Sequence, residues 1–270
     1  MVPTPRVLRP WRTGDWPRLG GTWLYIGNWM NHFGHFLTET LTTLWPERSG
    51  IDGLVGHPFI FGGETSTWQR ELVELAGFGG LPLVIARSGR RVDRLLVPNR
   101  SFIPNAYATA GAVATWRRVA SAIPAGTTPG SPKRVFLSRT RWHRWRQEAG
   151  QPTPRRPENE EELDSFMGSR GFEVVFPEEL PVRDQIATAR TAGTIVGFSG
   201  SALHLAAFAP RETRVLEIAD HRSGAARLPN QRVIDTACGH LVAHHPFAGN
   251  GERPRVDIAS LERLLDRAGL

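Results

Sequence analysis

The segments KRVFLSR (133–139), RRPENEEEL (155–163), GFEVVFPEELPVRDQ (171–185) and TIVGFSGSALHLAAFAPRETRVLEI (194–218) decide the fold. In order they read as strand, basic loop, acidic-capped helix, strand, helix, strand, glycine turn, helix and strand. Short apolar runs bounded by turn residues are the pattern of strands buried in a parallel sheet. Helices between them supply the crossovers that parallel strands need. The stretch is therefore a doubly wound α/β half-domain with a glycine turn at the end of a buried strand.

Charge is concentrated in the same stretch. Residues 133–156 carry eight basic side chains against Glu148 alone, a surplus of +7 that equals the formal charge of the whole chain. A partner met over the entire surface would need charge spread more widely. A local anion site fits better, and arginine, which makes up all of the basic set but Lys133, grips phosphate oxygens bidentately. Cys238 is the only cysteine, which excludes an internal disulfide and a cysteine-rich zinc site. No run approaches a membrane span, and MVPTPRVLRPWRTGDW at the start lacks a signal-like apolar core, so a cytoplasmic protein is expected.

Working outward, PAGTTPGSP (124–132) reads as a linker. Before it, strands are expected at Thr22–Ile26, Pro58–Phe61 and Arg94–Pro98, with helices at 31–45, Thr67–Ala76 and Tyr107–Ile123. After it, strands are expected at Arg134–Leu137, Phe172–Phe176, Thr194–Gly197, Arg214–Ile218 and Arg232–Ile234. Helices are expected at Glu160–Ser169, capped by Asn159, and at Val182–Thr191, Gly200–Phe208 and Ile258–Ala268, with a charged loop over 139–157. The expected architecture is α/β: two Rossmann-like domains, 1–125 and 126–270, with an inter-domain cleft, the last helix free to pack back on the first domain. Ligands of such sheets bind beyond the carboxyl ends of the strands.

Three motifs carry chemistry. In GFSGSALH (197–204), Gly200 allows close approach, and Ser199 and Ser201 are placed to cap a helix whose N–H groups would face a phosphate, the alternative being an ordinary tight strand-to-helix turn. SRTRWHRWR (138–146) follows a strand end and pairs arginine with tryptophan, which suits a base and its phosphates or, alternatively, RNA. In NHFGHFLTE (31–39), His35 and Glu39 lie four apart on one helical face, the spacing of a carboxylate that orients an imidazole.

With these residues in hand, the chain resembles bacterial members of glycosyltransferase family 61, of the capsular or exopolysaccharide type. The resemblance rests on HFGHFLTETL, on Ser138-Arg139, and on Arg155, Arg156, Asn159, Glu160, Glu162 and Leu163. It continues through Gly171, Phe172, Val174, Glu178 or Glu179, and Gln185, and ends with the turn 197–203 and Glu217. Many family members have His-Gly-Ala where this chain has Ser199-Gly200-Ser201, and a later Asn position is His204. The resemblance implies a GT-B-like fold and inverting, metal-independent transfer from a nucleotide sugar to a glycan or other hydroxyl acceptor. No separate cofactor, no nucleic acid and at most peripheral membrane association are implied. The absence of an Asp-x-Asp motif fits. His35 is the expected base, supported by Glu39. Ser138, Arg139, Arg155, Arg156, Asn159, Ser199, Gly200, Ser201 and His204 are the expected donor site, with Glu217 for the ribose hydroxyls. A non-catalytic sugar- or nucleotide-binding relative, or an RNA binder using 138–146, is the alternative.

Overall fold

In the computed structural model, residues 16–27, 29–59, 65–85, 90–124, 133–153, 156–220, 226–246 and 255–270 are described. Arg155 and most of the 124–132 linker lie outside them.

The first half builds a four-stranded sheet from β1 (Arg18–Leu24), β2 (Leu54–Phe59), β3 (Leu83–Ile85) and β4 (Arg91–Leu96). Its order is β3-β2-β1-β4 and every pairing is parallel. Between β1 and β2 runs α1 (Phe33–His35), which continues through a π-helical turn (Phe36–Thr40) and a 3-10 turn (Leu41–Leu44) before Pro46. Next, α2 (Thr67–Val73) opens on a capping box in which Ser66 and Gln69 satisfy each other's backbone, and it ends in a π-helical turn (Glu74–Phe78). Gly77, at φ 89, supplies the left-handed residue there. A short antiparallel pair, β5 (Phe102–Ile103) and β6 (Tyr107–Ala108), then leads into α3 (Ala110–Ser121).

The second half builds a five-stranded, wholly parallel sheet: β7 (Lys133–Leu137), β8 (Glu173–Val175), β9 (Ala192–Phe198), β10 (Arg214–Ile218) and β11 (Leu241–His245), in the order β11-β10-β9-β7-β8. Counted within this half the order is 2-1-3-4-5, and the strand order reverses between β7 and β9. The helices are α4 (Thr140–Glu148), α5 (Glu160–Ser169), α6 (Val182–Thr191), a 3-10 turn (Leu203–Phe208), α7 (Pro229–Cys238) and α8 (Ile258–Arg267).

Alternate residues of the central strands enter different cores. Val135, Leu137, Ile195 and Val215 join an apolar cluster that reaches Leu24, Phe36 and Trp116 of the first half. Phe136, Val196, Leu216 and Ile218 face Leu163, Met167, Leu261 and Leu265. Both faces of the sheet are covered, as its apolar strands require. Trp116 of α3 is fully buried between the halves and donates its indole N–H to Leu37 O (3.0 Å).

Four expectations are corrected here. The charged stretch after Ser138 is helix α4, whose buried positions are Thr140 and His143, so no apolar stripe marks it. The stretch Arg232–Ile234 lies within α7, where Gln231 and Asp235 take core positions and hide the helical period. Asn159 makes no capping bond; its amide spans the backbone of Val256 (3.0 Å in each direction) and pins the C-terminal segment. The last helix, α8, packs through Leu261 and Leu265 on the outer face of the second sheet, and Asp266 holds Arg170 there (2.5 Å).

Candidate active site

The site grows from the two strand ends at which the second sheet reverses order. At the end of β7, Ser138 Oγ accepts the Thr140 N–H (3.1 Å) and turns the chain into α4. At the end of β9, Ser199 and Gly200 (φ 135) turn it back toward α1. Arg139 ties the two ends together, its Nη2 donating to Ser199 O (3.1 Å).

The Ser199 side chain points inward. It is 0% exposed and donates to Glu217 Oε1 (2.6 Å). Glu217, also fully buried, accepts from the Leu228 N–H (3.2 Å) and from Arg227 Nε (3.0 Å). Arg227 reaches on to Asp235. These bonds make Ser199 and Glu217 an internal brace of the turn, and neither is among the residues that line the two cavities described below. The carboxylate expected to meet the ribose hydroxyls is thus engaged by Ser199, Arg227 and the Leu228 backbone. The expected amide cradle is corrected. The helix after the turn is a six-residue 3-10 segment, and the N–H groups of Leu203, His204 and Leu205 already donate to Gly200, Ser201 and Ala202.

Facing the turn is α1. A Cβ on Gly34 would sit 2.9 Å from both His204 Cδ2 and Ser201 Oγ, so glycine is what lets the helix come this close. The approach sets two adjoining cavities that share His32 and Ser201. The larger, about 900 Å³, is walled by Phe33 and Trp68 from the first half and by Arg139, Trp142, Trp145 and Gln185 from the second. Phe33 and Trp68 pack on each other with ring centroids 5.5 Å apart. Burial raises the carboxyl pKa of Glu178, which lines this cavity. Ser138 and Ser201 line it as well, and Glu71, paired with Arg183 of α6, closes one side.

The smaller cavity, about 230 Å³, is lined by His32, Gly34, His35, Gly200, Ser201 and His204, and on the far side by Asn105, Leu228, Pro229 and Asn230. Here Asn105, in the left-handed region at φ 63, donates its N–H to Asn230 Oδ1 (2.8 Å). His35 hydrogen-bonds through Nδ1 to Glu39 Oε1 (2.5 Å) across the π-helical turn and keeps 46% of its side chain exposed. His204, 7% exposed, hydrogen-bonds through Nδ1 to Gln231 Oε1 (2.8 Å). Burial pushes its pKa down to about 4.

The structure thus brings His35, Ser138, Arg139, Gly200, Ser201 and His204 to one cleft. It leaves Arg156 and Asn159 outside. Arg156 is held by Glu160 Oε1 (2.6 Å) and Gln147 Oε1 (2.5 Å), and Glu160 in turn holds the buried His143 (2.6 Å). Motif spacing along the chain does not reveal that these groups turn into the α4–α5 contact. Arg155 lies outside the described residues. The other arginines of α4 are also engaged: Arg141 with Glu179, Arg144 with Glu161 (2.9 Å), and Arg146 over the Trp142 ring (4.9 Å). Reading the sequence missed Trp68 and Glu71, which join the site only when α2 packs beside α6. Among the described residues no group of three or more His, Cys, Asp or Glu side chains gathers as metal ligands would, and no helix is long and apolar enough to cross a membrane.

Among solved structures, that of E. coli ADP-heptose LPS heptosyltransferase II overlays with a TM-score of 0.38 at 11% sequence identity, over 92% of this chain and 99% of that one. No curated protein sequence matches the chain. The sequence profile of Glycosyltransferase 61 matches residues 33–216. That span begins at the helix carrying His35, passes through both strand-end turns and stops at Leu216 in β10. It is well over half of the 270 residues, and the chain belongs to glycosyltransferase family 61.

Proposed function

We propose that the protein transfers a hexosyl or pentosyl group from a nucleotide sugar to a hydroxyl of a glycan acceptor, with inversion and without a metal. One observation carries this reading: the strand ends bearing Arg139 and Ser201 and the helix bearing the His35–Glu39 pair open on the same cleft. The larger cavity, within the usual range for a small-molecule site, takes the donor. The diphosphate lies against Arg139, Ser138 and Ser201, and the base stacks among Trp142, Trp145 and Phe33. The acceptor enters from the side of residues 1–125, and residues 126–270 hold the nucleotide.

In the reaction, the acceptor oxygen attacks the anomeric carbon from the face opposite the diphosphate. The bond from that carbon to the diphosphate oxygen breaks, and the leaving group takes the electron pair. The acceptor proton passes to Nε2 of His35, whose Nδ1–H is held by Glu39; the carboxylate stabilises the imidazolium that forms. Arg139 meets the charge that develops on the diphosphate, a task divalent cations perform in other transferases. The natural setting we assign is polysaccharide synthesis in a bacterial cytoplasm, at or near the membrane surface.

A screen of nucleoside diphosphates by thermal shift, followed by nucleotide sugars in a transfer assay, tests the reading. Arg139→Ala is expected to lose about 1.5–3 kcal/mol of nucleotide binding, roughly ten- to 150-fold in Kd. The product should carry the opposite anomeric configuration to the donor by NMR, and chelation should leave the rate unchanged. A product of retained configuration, or unaltered affinity in Arg139→Ala, refutes it.

A further inference from the structure

His204 lines the small cavity, and its tautomer is dictated by a chain of fixed partners. Asp235 accepts from Arg227 at one oxygen and from His240 Nδ1 (2.8 Å) at the other. With a guanidinium beside it the group is a carboxylate and can only accept. Gln231 must therefore turn its amide N–H₂ to Asp235, and its Nε2 donates to Asp235 Oδ1 at 2.9 Å. The carbonyl oxygen of Gln231 is then the atom that meets His204 Nδ1, at 2.8 Å. Flipping the amide would set oxygen against carboxylate. A carbonyl oxygen cannot donate, so the His204 proton sits on Nδ1, and Nε2 carries a lone pair with nothing to donate.

Nε2 belongs to the ring edge that lies against α1, in a residue that lines the cleft. Cδ2, the ring atom bonded to Nε2, lies 2.9 Å from the point where a Gly34 Cβ would stand, so this edge of the ring looks at the start of α1 between His32 and His35. His204 lines the 230 Å³ cavity together with His35. The volume falls below the range of drug-sized pockets and suits a single ring. Burial keeps the imidazole neutral at ordinary pH. The cavity therefore offers two imidazoles in different roles. His35 is paired through Nδ1 with the Glu39 carboxyl group; His204 is built to stay neutral and accept.

We propose that the small cavity is the subsite for the acceptor sugar ring, and that Nε2 of His204 accepts a hydrogen bond from a hydroxyl neighbouring the attacking one. The proposal rests on the transferase reading above and adds the acceptor's chemistry: a pyranose whose nucleophilic hydroxyl has a second hydroxyl within one ring position. A buried acceptor left unmet is costly, so an acceptor lacking that hydroxyl is discriminated against far more strongly than one differing by apolar bulk. Gln231 is a positioning residue that acts through the His204 tautomer.

The test uses the full chain labelled with ¹⁵N-histidine. Unliganded protein at pH 7 should show His204 as the Nδ1–H tautomer with an unprotonated Nε2, and no titration of that ring above pH 5. The methyl pyranosides of glucose, galactose, mannose and xylose, with their monodeoxy analogues, are then titrated in the presence of UDP, GDP, CDP or ADP. At least one methyl pyranoside should move the His204 Nε2 resonance saturably, and one of its monodeoxy analogues should fail to do so. In Gln231→Leu the tautomers should mix and the response fall at least tenfold; if that variant does not fold, the wild-type measurements decide alone. The proposal is overturned by an Nε2–H tautomer, by no response to any of the four sugars, or by equal responses to all deoxy analogues. Failure of every nucleotide to bind, by contrast, strikes the donor reading and leaves the tautomer measurement standing.

Discussion

Replacing Gly34 by alanine puts the close approach of α1 to the turn under direct test. The added Cβ would stand 2.9 Å from His204 Cδ2 and 2.9 Å from Ser201 Oγ, against about 3.5–4.0 Å for an unstrained carbon contact. Ser201 relieves only part of its share by rotating its hydroxyl, because its Cβ also lies 3.2 Å away. His204 does not, because Gln231 and Asp235 hold its ring from behind. The helix must then retreat by about half an ångström, and overpacking of this kind costs about 1–3 kcal/mol. Alanine also gains up to about 1 kcal/mol of helix propensity over glycine, less at the second residue of a helix. The net expectation is a loss of about 1–2 kcal/mol, or a melting temperature lower by about 2–8 °C in a chain of this size. Urea unfolding with a thermal melt measures it. A Gly34→Ala variant as stable as the wild type, or more so, would refute the argument, because propensity alone would then decide the outcome.

His35→Gln keeps size and polarity but cannot take up a proton, so transfer should fall by about a hundred- to ten-thousand-fold while nucleotide affinity and melting temperature hold, as read by steady-state rates beside a binding isotherm. Asn159→Ala removes both bonds to the Val256 backbone and should cost about 1–3 kcal/mol in a denaturation curve with nucleotide affinity unchanged; weaker nucleotide binding would return Asn159 to the donor site. Burial depresses both His57 and His204 to about 4. Above pH 6.5 neither folded nor unfolded chain protonates them; between 6.5 and 4 only the unfolded chain does. Stability should therefore be lost as the pH drops from 6.5 towards 4, by on the order of 3 kcal/mol per histidine, and a flat profile of unfolding free energy from pH 7 to 5 would contradict it.

What could be read from the residues follows physical lines. VFL, TIVGF and RVLEI announce strands because a central parallel strand is apolar on both faces, and β7, β9 and β10 fall there. The edge strands β3 and β11 offer only short runs, LVI and LVA, too brief to tell from the surrounding loops. Helices α4 and α7 were hidden because His143, Gln231 and Asp235 fill positions where an apolar residue would have shown the period. At the site, Ser138, Arg139 and the 199–201 turn were legible as strand ends. The direction of a side chain was not: Ser199 and Glu217 turn inward to each other, and Arg156 turns toward Glu160. Trp68 and Glu71 come from a helix that carries no motif and meets the cleft only through tertiary packing.

The parallel pairing of the first sheet also bears on how the chain is made. β1 is an interior strand flanked by β2 and β4, and Arg18 pairs with Arg91. Paired positions of β1 and β4 lie more than seventy residues apart, so β1 must wait for that length of chain before both of its edges are covered. Loop closure over that distance is entropically slow, and an unpaired strand edge invites contact with other chains. During translation, β1 is the segment a chaperone has most reason to shield, and crowding of nascent chains should harm yield more than it harms the finished molecule.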